Sequence, residues 1–541
     1  MEKVKKDNEQ RNSVCNWKER MLKLAGQTGN YFLKIYFIIL VAVYPFYMKD
    51  GYREIGAVKY FFFRRISILV IGIIVPFILI IFLCSRKTQG NKKKSILKNC
   101  RRTSITDLFA YGYLLTVLIS YLLTDFRSEA FWGADGWYMG MVSQLLFVLI
   151  YFMFSGYFRW DNDMLYLVLG SSGLVFLLGI LNRYSIYPIP IPVKAPEFIS
   201  TLGNINWFCG YWSVFAPLGI MFYWNSRDGW QRFAAGVFVV ICFVSGMTQG
   251  SRSAYLALIG IFALLFYLSF RENQKMYRFL EICGLFAISG QIARLLRYLP
   301  GFTMNYEDKL GSIFTDTGLT LYIGAVIFVL YILFHYLAEH KGCMISRYSI
   351  LRRCAMVMIA MILLAYIFLT IVNTCISGGI AGLADKQAFL FNDKWGNSRG
   401  ITWICGLLAY RNMTPLQKLV GVGPDCFAEY IYEIPELTER IYMAFGDSRL
   451  TNAHNEWITI LVNLGALGVI FYVGFFVSAF IRFLKKAPEK TVLYLYAVSI
   501  WAYMVHNIVS FQQVLNTPFV FLIIGIGEGI LKGSQTENDK W

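Results

Sequence analysis

The chain has 541 residues, of which 57% are hydrophobic and 16% are charged. A soluble protein of this length could not bury so much apolar surface, so the composition excludes a soluble protein and indicates a membrane protein. The formal net charge of +18 would suit a nucleic-acid-binding protein. The basic residues instead recur in short clusters between apolar segments, which is typical of membrane topology signals, so no nucleic-acid partner is expected.

The apolar segments predict an all-α integral membrane protein with about 14 transmembrane helices. Residues 1–30 are polar and basic and lack a small-residue cleavage site, so they predict a basic cytoplasmic N-terminal arm rather than a cleaved signal peptide. Transmembrane helices 1–11 are predicted within residues 31–373 and helices 12–14 within residues 457–531, followed by a cytoplasmic tail at 532–541. The expected helices are centred near residues 40, 75, 115, 147, 173, 215, 240, 262, 287, 328, 363, 470, 500 and 522.

Clusters of lysine and arginine at every second loop predict the orientation of the chain. The densest cluster spans residues 86–102, and the others lie at residues 227–232, 271–278, 341–353 and 482–490. By the positive-inside rule, these loops and both termini face the cytoplasm. The segment from Lys49 to Arg65 is basic but falls on the opposite side, so it departs from the rule.

Residues 374–456 form a predicted large extracytoplasmic loop between the eleventh and twelfth spans. Its stretch SRGITWICGLLAYRNM begins at Ser398, a candidate helix cap, and has apolar residues at helical spacing at Ile401, Ile404, Leu407 and Leu408. The glycines and proline of GVGPDCF predict a turn, and IYEIPELTERIYMAF is a second partly amphipathic stretch. The loop is therefore predicted to form a small helical cap on the membrane surface.

Other segments outside the apolar runs carry weaker signals. NRYSIYPIPIPVKAPEF has four spaced prolines, which exclude a regular helix and favour extended structure. The cysteines lack metal-binding spacing; Cys375, Cys405 and Cys426 are expected outside the cytoplasm, where two of them could pair, and the sequence does not choose which. The acidic pair of DND at residues 161–163 falls in a short cytoplasmic loop and is interpreted as solvated charge, so no metal ion is expected.

Two arginines lie at polar stretches of the predicted outer face. Arg252, in TQGSRSAY, is placed where a span begins, and a charge there is costly unless it is paired or faces a wet cavity. Arg399, in NSRGITW, lies at the start of a predicted helix, where its charge opposes the helix dipole. Guanidinium groups suit bidentate contact with phosphate. The alternative for each is an interfacial arginine that reaches the headgroups of membrane lipids.

Polar residues of two further stretches are candidates for substrate contact. In TNAHNEW, Thr451 or Asn452 could cap the twelfth span, which would place His454 in the first helical turn and keep its ring neutral. A neutral imidazole can act as a general base. Glu456 could orient the ring, although residues two apart do not share a helix face. The alternative is a polar histidine that marks the membrane interface. In GNINW, Asn204 is either a helix cap or an amide donor to a sugar.

Taken together, these stretches resemble the O-antigen ligase and polymerase superfamily of polytopic membrane glycosyltransferases. The motifs that carry the resemblance occur in the order GNINW, GSRSAY, SRGITW, GVGPDCF, AHNEWI and NLGALG. The resemblance covers roughly residues 130–530. The long basic N-terminal arm and the expected span count depart from the family, whose members usually have about twelve spans.

The resemblance implies a bacterial plasma-membrane enzyme with its active site outside the cytoplasm. Such enzymes move a glycan from a polyprenyl diphosphate donor to a hydroxyl of a glycan, lipid or protein acceptor, without a metal or other cofactor. By resemblance, Arg252 and Arg399 hold the diphosphate and His454 deprotonates the acceptor. Asn204 and Glu456 are further candidates for substrate binding. Ligase, polymerase and protein glycosyltransferase remain equally open.

Two other classes of protein would also have many spans. A flippase or transporter of lipid-linked glycans is the main alternative, and it requires charged residues along a path near the middle of the bilayer. The predicted spans carry few charges, and most of these lie near the span ends. A sensor or structural membrane protein would explain the spans but not the motifs gathered on one face.

Overall fold

The structure is a computed structural model that describes residues 2–86, 103–306 and 308–533. In these residues the fold is all-α, apart from two strands of two residues each. Ten helical segments in this part of the chain are long and apolar enough to cross a membrane, as expected of a multi-pass membrane protein. The predicted basic loop at residues 87–102 and tail residues 534–541 lie outside the described residues.

The helices are named in chain order. The first ten are α1 (Glu2–Ile38), α2 (Ile55–Arg86), α3 (Ile105–Leu123), α4 (Arg127–Trp132), α5 (Met141–Gly156), α6 (Asp163–Arg183), α7 (Ile205–Asn225), α8 (Gly229–Thr248), α9 (Ser253–Ser269) and α10 (Asn273–Leu296). The remainder are α11 (Lys309–Thr315), α12 (Leu319–His340), α13 (Ser349–Cys375), α14 (Trp395–Asn412), α15 (Pro415–Val420), α16 (Phe427–Tyr432), α17 (Pro435–Phe445), α18 (Glu456–Lys486), α19 (Val492–His506) and α20 (Thr517–Leu531).

Four apolar helices are shorter than the ten candidate spans. They are α5, α9, α19 and α20, and they coincide with the segments expected near residues 147, 262, 500 and 522. Each has 15–17 residues, which gives a length of roughly 22–26 Å against about 30 Å for the hydrocarbon core of a bilayer. The total of fourteen spans therefore stays a prediction.

The first candidate membrane span overlaps the predicted N-terminal arm. The apolar part of α1 starts at Arg20, inside the predicted arm, and the helix continues as a π-turn over Ile39–Val43 and a 3₁₀ turn over Tyr44–Phe46. The proline of the 3₁₀ turn lacks an N–H, which is consistent with the α-helix having ended there.

The basic segment from Lys49 to Arg65 is mostly helical, since α2 begins at Ile55. Its Lys59 is buried and donates hydrogen bonds to two carbonyl oxygens at the end of the first span, at 2.7 and 2.9 Å. The Arg64 guanidinium lies 4.8 Å from the centre of the Trp132 ring. Because carbonyl groups and rings hold these charges locally, the segment need not follow the positive-inside rule.

The proline-rich segment between α6 and α7 is non-helical, as its sequence predicts. It leads into the antiparallel pair β1 (Phe198–Ile199) and β2 (Gly203–Asn204), in which Phe198 pairs with Asn204 and Ile199 with Gly203. Gly203 has a φ of +96°, which favours glycine at this tight reversal. The pair ends where α7 begins.

The helices pack around α7, in which nearly all residues after the first turn are buried. α7 packs against α8 and α19, while α20 packs along α5 and α18 along α3. In contrast, α12 and α13 are exposed over almost their whole length. α12 packs mainly on α10, and α13 mainly on the short turns on either side of it. These two helices therefore lie at the edge of the bundle.

The predicted large loop contains four helices, α14 to α17, which we call the cap. These helices share an apolar core formed by Ile401, Cys405, Ala409, Phe427, Ile431, Leu437 and Ile441. Leu407, which was expected on the apolar face of α14, is instead 47% exposed. The three cysteines expected to be outside the cytoplasm, Cys375, Cys405 and Cys426, are all free thiols.

The cap is joined to the bundle through a break in α18. Gly465 has a φ of +66° and interrupts the helix, which frees backbone carbonyl groups in the preceding turn. The Val462 and Asn463 carbonyls accept hydrogen bonds from the amides of Val422 and Gly423 in the GVGP turn, at 3.2 and 3.0 Å. Two glycine motifs far apart in the sequence thus form one backbone contact.

We expect Gly465→Ala to weaken this contact strongly. A Cβ at Gly465 would lie 2.5 Å from the Leu419 carbonyl, and its positive φ alone costs about 1–3 kcal/mol for a residue other than glycine. Gly284→Ala in α10 is the matched control, because nothing lies within 4 Å of that position. The apparent melting temperature of the purified chain measures the effect, and equal values for the two variants would contradict the account.

Candidate functional site

The TQGSRSAY stretch forms the tight turn between α8 and α9. Gly250 has a φ of +95°, and Arg252 occupies the cap position of α9, so Arg252 lies where an apolar helix begins, while its place at the start of a span stays a prediction. The buried Arg183 donates a hydrogen bond of 2.6 Å from Nη2 to the Gln249 carbonyl and so supports the turn from below. Arg183 is one of the residues that the sequence analysis did not single out.

Arg252 is half exposed and has one acidic partner in the described part of the chain. Its Nε donates to Oδ1 of Asp308 at 3.0 Å, while Oδ2 of Asp308 caps α11 by accepting from the Leu310 amide. The described residues leave both terminal nitrogens of Arg252 without a hydrogen-bond partner. These two groups can therefore contact a ligand.

Asn204 caps α7, which is one of its two predicted roles. Its Oδ1 accepts from the Asn206 amide at 2.8 Å. Asn206 in turn accepts a hydrogen bond of 2.9 Å from Ser251, next to Arg252. The Gly-Asn stretch and the Ser-Arg turn therefore touch, although contact of Asn204 with a substrate stays a prediction.

The backbone before Arg399 differs from the predicted cap. Ser398 does not cap α14; Gly396, Asn397 and Ser398 all have φ between +61° and +65°, which makes a left-handed turn. Side chains other than glycine rarely adopt this conformation, and such residues cluster at functional sites. The helical conformation starts at Arg399, as predicted. Its Nε donates to the Val509 carbonyl at 3.1 Å and its Nη1 to the Gly396 carbonyl at 3.0 Å.

Arg399 lies close to both Arg252 and His454. Burial lowers the pKa of Arg399, and the positive charge of Arg252 lowers it further. Within the described residues, no carboxylate is within salt-bridge distance of Arg399. Two guanidinium groups thus lie near each other, and Asp308 is the one carboxylate that the described residues pair with either of them. The group therefore keeps a net positive charge. An anion with two or more charges would relieve this repulsion.

No family model and no curated protein matches the chain significantly.

The AHNE segment begins α18 differently from the prediction. Asn455 is the cap, since its side chain accepts from the Ile458 amide at 3.1 Å, so His454 precedes the helix and is not in its first turn. His454 has a φ of +46°, and its amide donates to Asn452 at 2.9 Å. The Ala453 carbonyl accepts a hydrogen bond of 2.7 Å from Thr402 of the cap. These contacts hold the histidine backbone beside Arg399.

The His454 ring is held by packing and remains open to a ligand. Its centre lies 5.2 Å from that of Phe511. No described residue hydrogen-bonds either ring nitrogen. Burial lowers the pKa of His454 to about 4, and the positive charge of Arg399 contributes. The predicted neutral ring is therefore supported, but burial and a neighbouring charge cause it rather than the helix dipole.

Glu456 points away from His454. Its buried carboxylate accepts hydrogen bonds from Tyr472, Tyr503 and Asn507, and the Tyr503 hydroxyl lies 3.2 Å from Oε2. Its amide donates to the Asn507 carbonyl at 3.0 Å. Glu456 therefore fixes the start of α18 against α19 and does not orient the ring, which corrects that part of the prediction.

The connection between α19 and α20 is the main part of the site that the sequence analysis missed. It supplies the Val509 carbonyl to Arg399, Phe511 to His454 and Asn507 to Glu456. The polar run HNIVSFQQVLN between two apolar helices is the signal that could have identified it. A second histidine, His506, lies here but is completely buried and bonded to Asn507, so a substrate cannot reach it.

A small cavity of about 30 Å³ lies next to His454, between the cap and the bundle. Phe511 and Asn452, which both contact His454, line it, and so does Asp425 of the GVGPDCF turn. Oδ2 of Asp425 accepts from the amides of Ala134 and Met139, each at 2.8 Å. The segment GADGWYMG, residues 133–140, thereby forms hydrogen bonds to the cap.

In the part of the chain that the structure describes, no group of three or more His, Cys, Asp or Glu side chains could hold a metal ion.

Asp425 should make stability depend on pH. Burial raises its pKa to about 7 in spite of the two backbone donors, so the folded state binds a proton more tightly than the unfolded state. The contribution of this proton to the free energy of unfolding is complete below about pH 4 and is lost as the pH rises through about 7. The loss has an upper limit of roughly 4 kcal/mol. The melting temperature of Asp425→Asn, relative to that of the unsubstituted chain, should therefore rise as the pH increases from 5 to 8. Parallel pH curves for the two proteins would contradict this assignment.

Proposed function

We propose that this chain is a membrane glycosyltransferase of the O-antigen ligase and polymerase type. It would transfer a glycan from a polyprenyl diphosphate to a hydroxyl acceptor on the extracytoplasmic face of a bacterial plasma membrane. The observation that carries the proposal is the proximity of Arg399 to both Arg252 and His454, three residues far apart in the sequence. The order of the motifs and the helical cap over the site also support it.

The arrangement suits a diphosphate leaving group. Nη2 of Arg399 and both terminal nitrogens of Arg252 have no hydrogen-bond partner among the described residues, and guanidinium groups form strong charge-assisted bonds to phosphate oxygens. Partial burial of Arg399 strengthens such a bond, because water screens it less. Asp308 holds Arg252 in place through Nε and leaves its two terminal nitrogens for a ligand.

The reaction follows from these positions as a single displacement. The acceptor oxygen forms a bond to the anomeric carbon of the donor glycan while His454 takes the proton of the hydroxyl. The bond between that carbon and the diphosphate oxygen breaks, and its electron pair leaves with the diphosphate. Arg252 and Arg399 stabilise the added negative charge, which is the larger part of such catalysis. A neutral His454 can accept the proton at neutral pH.

The transporter alternative has less support. Buried charged residues of the apolar helices, within the described ranges, lie in the first or last two turns of those helices, namely Lys59, Asp107, Arg183, Arg278, Glu456 and Glu528. Several of them are paired, as in the bidentate contact of Arg482 with Glu528 at 2.9 and 3.0 Å. They do not form the mid-bilayer path that a carrier of charged lipids needs.

The proposal is tested with the purified full chain in proteoliposomes. Lipid-linked oligosaccharides extracted from the source membranes serve as donor, and extracts of the cell envelope serve as acceptor. We expect one polyprenyl diphosphate to be released for each glycan transferred. Movement of intact donor between leaflets without any transfer would contradict the proposal and favour a transporter.

A further inference from the structure

Arg183 is a buried charge that the proposed reaction does not use. It is the last residue of α6 and is completely buried. Within the described ranges, its three hydrogen bonds go to uncharged oxygens, namely the carbonyls of Gln249 at 2.6 Å and Pro196 at 2.9 Å and the side chain of Asn305 at 3.1 Å. A buried cation held only by neutral groups is costly, so an apolar side chain would serve better if Arg183 only filled space. These bonds therefore point to a specific task.

The two terminal nitrogens of Arg183 hold the two segments that carry the ion pair of Arg252 with Asp308. Nη2 bonds the Gln249 carbonyl, three residues before Arg252. Nη1 bonds Asn305, three residues before Asp308. The ion pair joins the same two segments through the 3.0 Å bond from Nε of Arg252. Because a guanidinium is planar and rigid, Arg183 fixes how far apart the two partners of the pair can lie.

The turn between Gln249 and Arg252 is stiff. The Gln249 side chain donates to the Ser251 carbonyl at 2.5 Å and accepts from the Ser251 amide at 2.7 Å. Gly250 is packed so closely that a Cβ there would lie 2.7 Å from the ring of Tyr306. Because these contacts leave the turn little freedom, a shift of the Gln249 carbonyl would move the backbone that carries Arg252.

The segment before Asp308 is held by the same arginine. The Asn305 amide donates to the Arg183 carbonyl at 3.0 Å, and its Nδ2 donates to the Asn182 carbonyl at 2.8 Å. The ring of Tyr306 makes a cation–π contact with Arg183, whose guanidinium carbon is 5.1 Å from the ring centre. The side chain and the backbone of one residue thus anchor both segments at the end of α6.

We propose that Arg183 is a positioning residue of the diphosphate site, which holds the ion pair of Arg252 with Asp308 so that the terminal nitrogens of Arg252 keep one orientation for the ligand. The inference rests on the proposed function, because Arg183 acts on the diphosphate through Arg252. Arg183 is completely buried and does not touch the ligand itself. Preorganised donors bind an anion more strongly, because they are already ordered when the ligand arrives.

A double-mutant cycle separates positioning from general stability. Pyrophosphate binding to the full chain in nanodiscs is measured by calorimetry for the unsubstituted chain, Arg183→Gln, Arg252→Gln and the variant with both changes. We expect Arg183→Gln to weaken binding about tenfold in the unsubstituted chain but less than about twofold when Arg252 is already replaced, because no guanidinium is then left to position. Arg183→Lys should bind as weakly as Arg183→Gln, since one ammonium group cannot replace a rigid fork.

Two further variants keep the test informative if Arg183→Gln is poorly folded. Asn305→Ala removes one partner of the fork at a partly exposed residue, and it should weaken pyrophosphate binding only while Arg252 is present. Arg278→Gln is the matched control, because it removes a buried arginine that bonds the Ser226 carbonyl at the C-terminal end of α7, whereas the N-terminal end of that helix contacts the Ser-Arg turn. It should lower the melting temperature and leave pyrophosphate affinity unchanged.

The outcomes distinguish the two claims. If pyrophosphate binds through Arg252, but Arg183→Gln and Asn305→Ala weaken it by the same factor with and without Arg252 or not at all, Arg183 is not a positioning residue and the proposed function stands. The same conclusion follows if Arg278→Gln weakens binding as much as Arg183→Gln does. If the unsubstituted chain does not bind pyrophosphate, or if Arg252→Gln does not weaken binding, the proposed diphosphate site is wrong and the inference fails with it.

Discussion

Replacement of His454 should reduce glycan transfer by at least about 10²-fold, the usual effect of removing a general base. His454→Asn is the best variant, because asparagine tolerates the positive φ of this position and keeps a polar side chain that cannot accept a proton at neutral pH. Transfer is measured as glycan appearing on the acceptor at saturating donor. The reduction should appear in kcat, since donor binding depends on the arginines.

A control separates this chemistry from stability. His340→Ala changes an exposed histidine at the end of α12, far from the cap in sequence and outside the site. It should transfer glycan at the normal rate. If His454→Asn folds, binds pyrophosphate and retains normal transfer, His454 has no part in the reaction.

Arg399→Gln should cost about 10²–10³-fold in transfer, because one of the donors that stabilise the leaving diphosphate is removed. Arg399→Lys and Arg252→Lys should also be poor, since a point charge cannot replace a planar guanidinium that bonds two oxygens. The measurement is kcat/KM for the lipid-linked donor. Arg411→Gln is the matched control, because Arg411 is an exposed arginine in the last turn of the same helix, α14.

Arg399→Gln also has a second measurable effect, on the pH dependence of transfer, which a purely structural role of Arg399 would not produce. The positive charge of Arg399 helps to lower the pKa of His454, so its removal should raise that pKa. In the unsubstituted chain, transfer should persist down to about pH 5, because His454 is protonated only below that range. In Arg399→Gln the acidic limit of activity should move to higher pH. An unchanged acidic limit would show that the two side chains do not interact.

Local features of the fold could be predicted from the sequence. Asn204 caps a helix and Arg252 begins one, because capping residues and apolar runs act over a few positions. Ser398 and His454 were assigned to the wrong helical positions for one shared reason. Each lies in a left-handed turn, which short-range preferences do not indicate for residues other than glycine and asparagine.

Long-range partners could not be predicted from local patterns. Asp308 reaches Arg252 across 56 positions, and Asn507 reaches Glu456 across 51. The role of the GVGP turn becomes clear only when Gly465 breaks α18 and supplies free carbonyl groups to it. The order of the motifs predicts which stretches to consider as one site. The hydrogen bonds between them and the orientation of their side chains are visible only in the folded structure.

The most direct test of the central claim is the position of a bound diphosphate. A cryo-EM structure of the full chain in nanodiscs with polyprenyl diphosphate should place the phosphate groups between the guanidinium groups of Arg252 and Arg399, with the His454 imidazole on the side that faces the cavity. A diphosphate bound elsewhere, or an imidazole on the opposite side of the membrane from the two guanidinium groups, would contradict the account.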